Sequence, residues 1–184
     1  MAGSSTASRF YYDLSSPVAY LAAERVHHVL GEVPEWVPVR FEPGPFRCAE
    51  EIAAYREDIE RAAAAQGVQA LRWPEPFPAD SEWAMLVATY AKQIGRAVAF
   101  SLAAFRQAFA AGRDLGERDT VLLAAAACEM HPAAVIKGAE LRSTRERLET
   151  AEAEAAAAGV REVPAVVTAA GEVIEVPEAG VSPT

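Results

Sequence analysis

Residues that favour β-structure gather near the two ends of this chain and are scarce between them. Residues 9–14 (RFYYDL) form a short aromatic run, as strands do, and stop at Ser15-Ser16-Pro17. Residues 35–41 (EWVPVRF) read as a second strand, which Pro38 restricts to an edge or an irregular pairing. Residues 164–168 (PAVVT) and 172–176 (EVIEV), joined by an Ala170-Gly171 turn, read as a β-hairpin. More than a hundred residues of helical character separate the two sets. A chain so arranged has to build one small sheet from distant segments. The expected class is therefore α/β: a βαβ unit and a ββ hairpin, split by a large all-helical insertion. Alanine, over a fifth of the chain, concentrates in the insertion, where the strongest helix former belongs.

Ser16 can cap a helix whose first residue is Pro17, which predicts a helix over 17–30 closed by Gly31. EPGP at 42–45 interrupts the pattern. Further helices are expected over 49–66 and, after an extended proline-rich stretch at 71–79, from Asp80 or Ser81 to Gly95. Trp83, Leu86, Val87, Tyr90 and Ile94 would share one face of the latter; Val98, Leu102, Phe105 and Phe109 mark the next helix. Shorter helices follow from Asp119 or Thr120 to Glu129 and from Pro132 to Lys137. A capping box at Ser143-Thr144-Arg145-Glu146 opens the last one, which ends at Gly159. The expected domains are a discontinuous sheet domain (9–45 and 159–176), a helical insertion (46–158) and a tail (177–184).

A chain of 184 residues can bury a core without metal or disulfide staples. Its net charge is −9, with Lys92 and Lys137 as the only lysines and no basic run. Nucleic acid and anionic membranes both need a cationic surface, so neither is an expected partner. No window approaches 18 uninterrupted apolar residues, and residues 1–9 lack the basic and apolar regions of a signal peptide, so the expected location is cytoplasmic. Cys48 and Cys128 are expected to be free and buried. They form no CxxC pair, and Cys and His ligands are too few to suggest a metal site.

Three stretches together resemble the DsbA-like branch of the thioredoxin superfamily, above all 2-hydroxychromene-2-carboxylate isomerases and kappa-class glutathione transferases. FYYDLSSPVAY over 10–20 is similar to that family's aromatic strand followed by D-x-x-S-P and an aromatic residue. GVREVPA over 159–165 is similar to its G-V-x-G-V-P-x segment, and the insertion carries Phe77-Pro78 and FRQAFAAGRD over 105–114. The resemblance spans about 10–176 and implies a thioredoxin-like fold. In the superfamily a C-x-x-C pair opens the first helix; here that slot reads Ser16-Pro17-Val18-Ala19. Disulfide exchange needs an attacking thiolate and a resolving thiol. With both absent, a disulfide oxidoreductase is disfavoured even where the family label reads oxidoreductase.

The resemblance implies instead an isomerase or transferase acting on a small aromatic substrate, with glutathione or another low-molecular-weight thiol as cofactor. Ser16 would be catalytic, hydrogen-bonding the sulfur. Val163 and Pro164, at the superfamily's cis-proline position, would hold the thiol's backbone. The physical chemistry agrees. A helix N-terminus carries about +0.5 of a charge and unpaired N–H groups, which favour a thiolate. The alternatives stay open at the residue level: Ser16 as a plain N-cap, Ser15 in its place, and Pro164 as an ordinary trans proline opening a strand. Tyr12, Tyr20, Trp73, Asp80 and Ser81 are the candidates for a substrate pocket, against core packing or helix capping. Tyr12 and Tyr20 flank Ser16 from a strand and a helix, so at most one can face it. His27, His28 and His131 read as helix-end or loop residues.

The chain departs from the family after the hairpin. Relatives continue with a G-x-D-R segment and a closing helix; here 176–180 read VPEAG and only four residues follow. The closing helix is therefore expected to be missing, leaving one sheet face under-covered and a homodimer as a way to cover it. Glu162 replaces a family glycine and would repel a glutathione carboxylate if it faced inward. The alternative function is a catalytically degenerate DsbA-like module that binds a ligand or a protein.

Overall fold

The computed structural model describes residues 7–41 and 46–175. Strands β1 (Arg9–Tyr12), β2 (Glu35–Pro38), β3 (Ala165–Val167) and β4 (Val173–Glu175) form one sheet in the order β2-β1-β3-β4. β1 and β2 are parallel; β3 runs antiparallel to β1, and β4 antiparallel to β3. The expected βαβ unit and hairpin thus meet along β1 and β3. β2 is an outer strand, where Pro38 is tolerated. The expectation of a missing closing helix, and the tail itself, lie outside the described residues.

Between β1 and β2 stand α1 (Pro17–Ala23) and α2 (Val26–Leu30) rather than one helix over 17–30. The break at Glu24 and Arg25 lets Val26 enter the core and stacks His27 on Trp36 of β2. Gly31 closes α2 in the left-handed conformation, as expected. The insertion holds α3 (Ala49–Ala65), α4 (Glu82–Gln93), α5 (Ala97–Phe109), α6 (Arg118–Ala126), α7 (Pro132–Glu140) and α8 (Arg142–Ala157).

α4 is surrounded by β2, α5, α6, α7 and α8, so it is buried from Ala84 to Thr89 and again at Ala91. The single apolar face predicted for it is too narrow a description: Met85 and Ala88 are fully buried, while Ile94 is exposed. The predicted capping box also fails. α7 runs to Glu140, so Leu141 becomes the N-cap of α8 and Ser143 falls inside the helix. Thr144 Oγ1 instead donates to the Gly138 carbonyl near the end of α7. α6 ends at Ala126, three residues before the predicted Glu129.

The two sheet faces have separate cores. Phe10, Tyr12, Trp36 and Val166 pack with α1, α4 and α5. Tyr11, Val37, Val39, Ala165 and Val167 pack with Ala155 of α8 and Val160, flanked by Ala151 and Ala158. Ala155 of α8 packs on this second face, whereas Val173 of β4, which pairs with Val167, stays exposed.

Candidate functional site

Where β1 ends, Asp13 turns its side chain inward and is almost completely buried. Its Oδ1 accepts from Ser15 N (2.7 Å), Ser15 Oγ (2.8 Å) and Ser81 Oγ (3.1 Å). Its Oδ2 accepts from Phe41 N (2.7 Å). One carboxyl therefore ties together the β1–α1 loop, the segment after β2 and the start of α4. Burial pushes the Asp13 carboxyl above the usual carboxylate range, and these hydrogen bonds oppose the shift.

Ser16 follows with an extended backbone, and its Oγ accepts from Ala19 N (3.1 Å). That is the N-cap geometry, and Ser16 is only 6% exposed. Among the described residues its hydroxyl proton has no acceptor. α1 spans two turns, too short for the full dipole expected of a helix over 17–30. The peptide bond between Val163 and Pro164 is cis. Pro164 directly precedes β3, whose first residue Ala165 pairs with Tyr11, two residues before Asp13. Val163 is half-buried and Pro164 buried, while Glu162 is exposed.

A cavity of about 510 Å³ opens at the carboxyl ends of the parallel strands β1 and β2. Asp13, Ser15, Arg40, Phe41 and residues 78–82 line it. Ligands of open α/β sheets bind at that end. Arg40 is held from α8: Glu152 Oε1 accepts from Arg40 N and Nε, and Oε2 from Nη2.

The predicted pocket residues divide. Asp80 and Ser81 line the cavity; Asp80 also accepts from Glu82 N and Ser81 donates to Asp13. Tyr12 does not line it. It is fully buried, with its hydroxyl 2.6 Å from Ser101 Oγ, and burial raises its phenol pKa. Tyr20 stacks on Phe109 within the core. Trp73 packs edge-on against Phe77 and Phe109 and donates Nε1–H to Glu60. Tyr12 packs on Phe10, Trp36 and Phe105 in the sheet core, Tyr20 on Phe105 and Phe109 of α5, and Trp73 against the proline-rich loop, so all three rings have packing partners away from this cavity. Ser16, Val163 and Pro164 do not line the cavity either; Ser15 is the serine that does.

Asp13, Arg40, Phe41 and Glu82 escaped the sequence reading. A usable signal existed: Asp13 and Arg40-Phe41 follow two parallel strands directly. Cys48 is exposed, against expectation, because it caps α3 from outside; Cys128 is buried, and both are free. His131 caps α7, its Nδ1 accepting from Ala133 N. Among the described residues, no His, Cys, Asp or Glu cluster is arranged to hold a metal, and no helix is long and apolar enough to cross a membrane.

A 2-hydroxychromene-2-carboxylate isomerase structure superimposes with a TM-score of 0.79 at 17% identity, covering 91% of this chain and 87% of that one. A probable DsbA oxidoreductase from Streptomyces coelicolor gives 0.72 at 21% identity, covering 91% and 82%. At such identities the likeness speaks for the fold. No curated protein matches the chain. The family model of the DsbA-like thioredoxin domain matches residues 9–179, nearly the whole length. With the mixed four-stranded sheet, the helical insertion and the serine where a C-x-x-C pair would open α1, the chain belongs to the DsbA-like thioredoxin domain family.

Proposed function

We propose that this protein is a non-redox isomerase or transferase that uses a small thiol, glutathione or another of low molecular weight, on a small substrate. The observation that carries this reading is the Ser16 hydroxyl. It sits in the family's cysteine slot at the start of α1, with a proton that no described residue accepts, and the cis Val163–Pro164 bond that the family resemblance pairs with that slot is present in the chain. Such a donor fits a sulfur anion, and hydrogen bonds to charged groups contribute about 1.5–3 kcal/mol. Bound there, a thiol would supply a nucleophilic sulfur. Ser16 would hold that sulfur ionised, the Val163 backbone would orient the thiol, and the cavity over Asp80 and Ser81 would take the substrate. Disulfide exchange is not part of the reading, because Cys48 and Cys128 lie at the start of α3 and beyond α6.

A second reading, a binding module without chemistry, is favoured by the near-complete burial of Ser16 and by its absence from the cavity lining. Calorimetric titration with a panel of small thiols separates the two. The expected outcome is millimolar or tighter binding of one thiol, weakened at least about tenfold in Ser16→Ala. Ser16→Ala also loses a cap, at about 1 kcal/mol, so its folding is checked by circular dichroism. Wild-type protein that binds no thiol at millimolar concentration favours the second reading. Measurable insulin reduction would refute both. A homodimer remains part of the proposal, checked by sedimentation at micromolar concentration.

A further inference from the structure

The polar groups around the cavity point one way in hydrogen-bonding terms. Ser15 Oγ and Ser81 Oγ each direct their single proton to Asp13 Oδ1. A hydroxyl whose proton is engaged offers only lone pairs to anything else. Asp80 Oδ1 accepts from Glu82 N, and its Oδ2 has no partner among the described residues. Glu82 Oε1 pairs with Arg145 in a partly exposed bridge, which leaves Oε2 open. Arg40 is the cation of the lining, and Glu152 already clamps it bidentately. Arg40 is thus balanced by Glu152 and Glu82 by Arg145. The oxygens of Asp13 are taken up by four donors, which leaves Asp80 as the lining carboxylate with no cation paired to it among the described residues. The N-terminus of α4 also opens here, but Asp80 and Glu82 already sit at its positive end. Phe41 and Pro78 add apolar wall, and the volume suits a small molecule.

We propose that this cavity binds a small molecule through a primary ammonium group, with acceptors from Ser15, Ser81, Asp80 and Glu82 around the cation. The inference deepens the function above by naming the chemistry of the substrate end, and rests on it only for the thiol at Ser16. The net charge of −9 draws cations to the protein and disfavours an anionic ligand at this mouth.

Benzylamine and benzoate are matched probes, alike in ring and opposite in charge. Both are titrated by NMR into the wild type and into the Asp80→Asn/Glu82→Gln variant, in which the amide introduced at position 80 keeps an oxygen for the backbone N–H of position 82. The expected result is millimolar binding of benzylamine, benzoate binding at least about tenfold weaker, and a loss of about fivefold or more for benzylamine in the variant. Equal or tighter binding of benzoate overturns the proposal. So does benzylamine binding that the variant leaves unmoved, or no benzylamine binding at millimolar concentration. Neither probe carries sulfur, so the result is independent of thiol binding. Benzylamine bound by a protein that takes no thiol would refute the proposed function and keep this inference.

Discussion

At the residue scale the organising group is Asp13, a buried carboxyl with four hydrogen-bond donors around it. Burial raises its folded pKa above the ordinary carboxylate value of about 3.9. Between those two values the folded state binds the proton more tightly than the unfolded state. The stability this contributes is complete below about pH 3.9 and is lost as pH rises through the folded pKa. Asp13→Asn has no such titration, and its amide NH2 opposes an N–H donor, costing on the order of 1–3 kcal/mol. The wild type's advantage over Asp13→Asn in thermal unfolding is therefore expected to be greatest near about pH 4 and to shrink toward neutrality. An advantage that grows over that range would show that the four donors outweigh burial. Asp13 stands in plain view in the FYYDLSSP motif, yet its role was not legible there. Two of its donors come from 28 and 68 residues away, and sequence spacing carries no trace of them.

Cysteine reactivity belongs to the same scale. Cys128 is buried, and desolvation raises its thiol pKa, while Cys48 is exposed. The thiolate is the reactive form. Alkylation by iodoacetamide near neutral pH should label Cys48 while Cys128 stays largely unmodified, read by mass spectrometry. Comparable labelling of both would mean that the turn after α6 opens readily.

At the element scale, helix boundaries followed tertiary contacts more than local signals. Ser16-Pro17 and Gly31 mark helix ends as their chemistry dictates, because a cap acts on neighbouring backbone alone. The Ser143 box failed because α7 and α8 meet at Leu141, which starts α8 too early for it. The α4–α7 contact is the tightest packing test. A Cβ on Gly138 would clash with the Cδ2, Cε2 and Cγ carbons of the Tyr90 ring. Gly138→Ala is expected to destabilise the protein by about 1–3 kcal/mol in urea unfolding. In a Tyr90→Ala background the same substitution should be neutral or stabilising, since alanine is the better helix former. An equal cost in both backgrounds would place the strain elsewhere.

At the scale of the whole molecule, one hydrophobic core runs from the sheet into the insertion. Phe10, Tyr12, Trp36 and Val166 belong to the same buried cluster as Met85, Phe100, Phe105, Val135 and Leu148. The sheet and the helices are therefore expected to unfold together. In a Trp73→Phe/Trp83→Phe variant, fluorescence of Trp36 in the sheet and far-ultraviolet circular dichroism of the helices should give superimposable urea transitions. Two separated midpoints would show that the insertion folds as a domain of its own.

The fold class was legible from the chain because strand and helix patterns are local. Aromatic and β-branched runs at both ends, with an alanine-rich middle, leave few ways to bury their apolar faces. The serine in the cysteine slot is likewise a one-residue fact. The cavity is different in kind. Its walls come from the ends of two parallel strands and the start of α4, and its charges are set by partners on other elements, Glu152 and Arg145. Tyr12, Tyr20 and Trp73 looked like pocket residues because an aromatic ring suits a core and a binding site equally well. Only the packing of α5 against α1 sent them inward, and only the convergence of distant loops on Asp13 put Ser15, rather than Ser16, on the cavity wall.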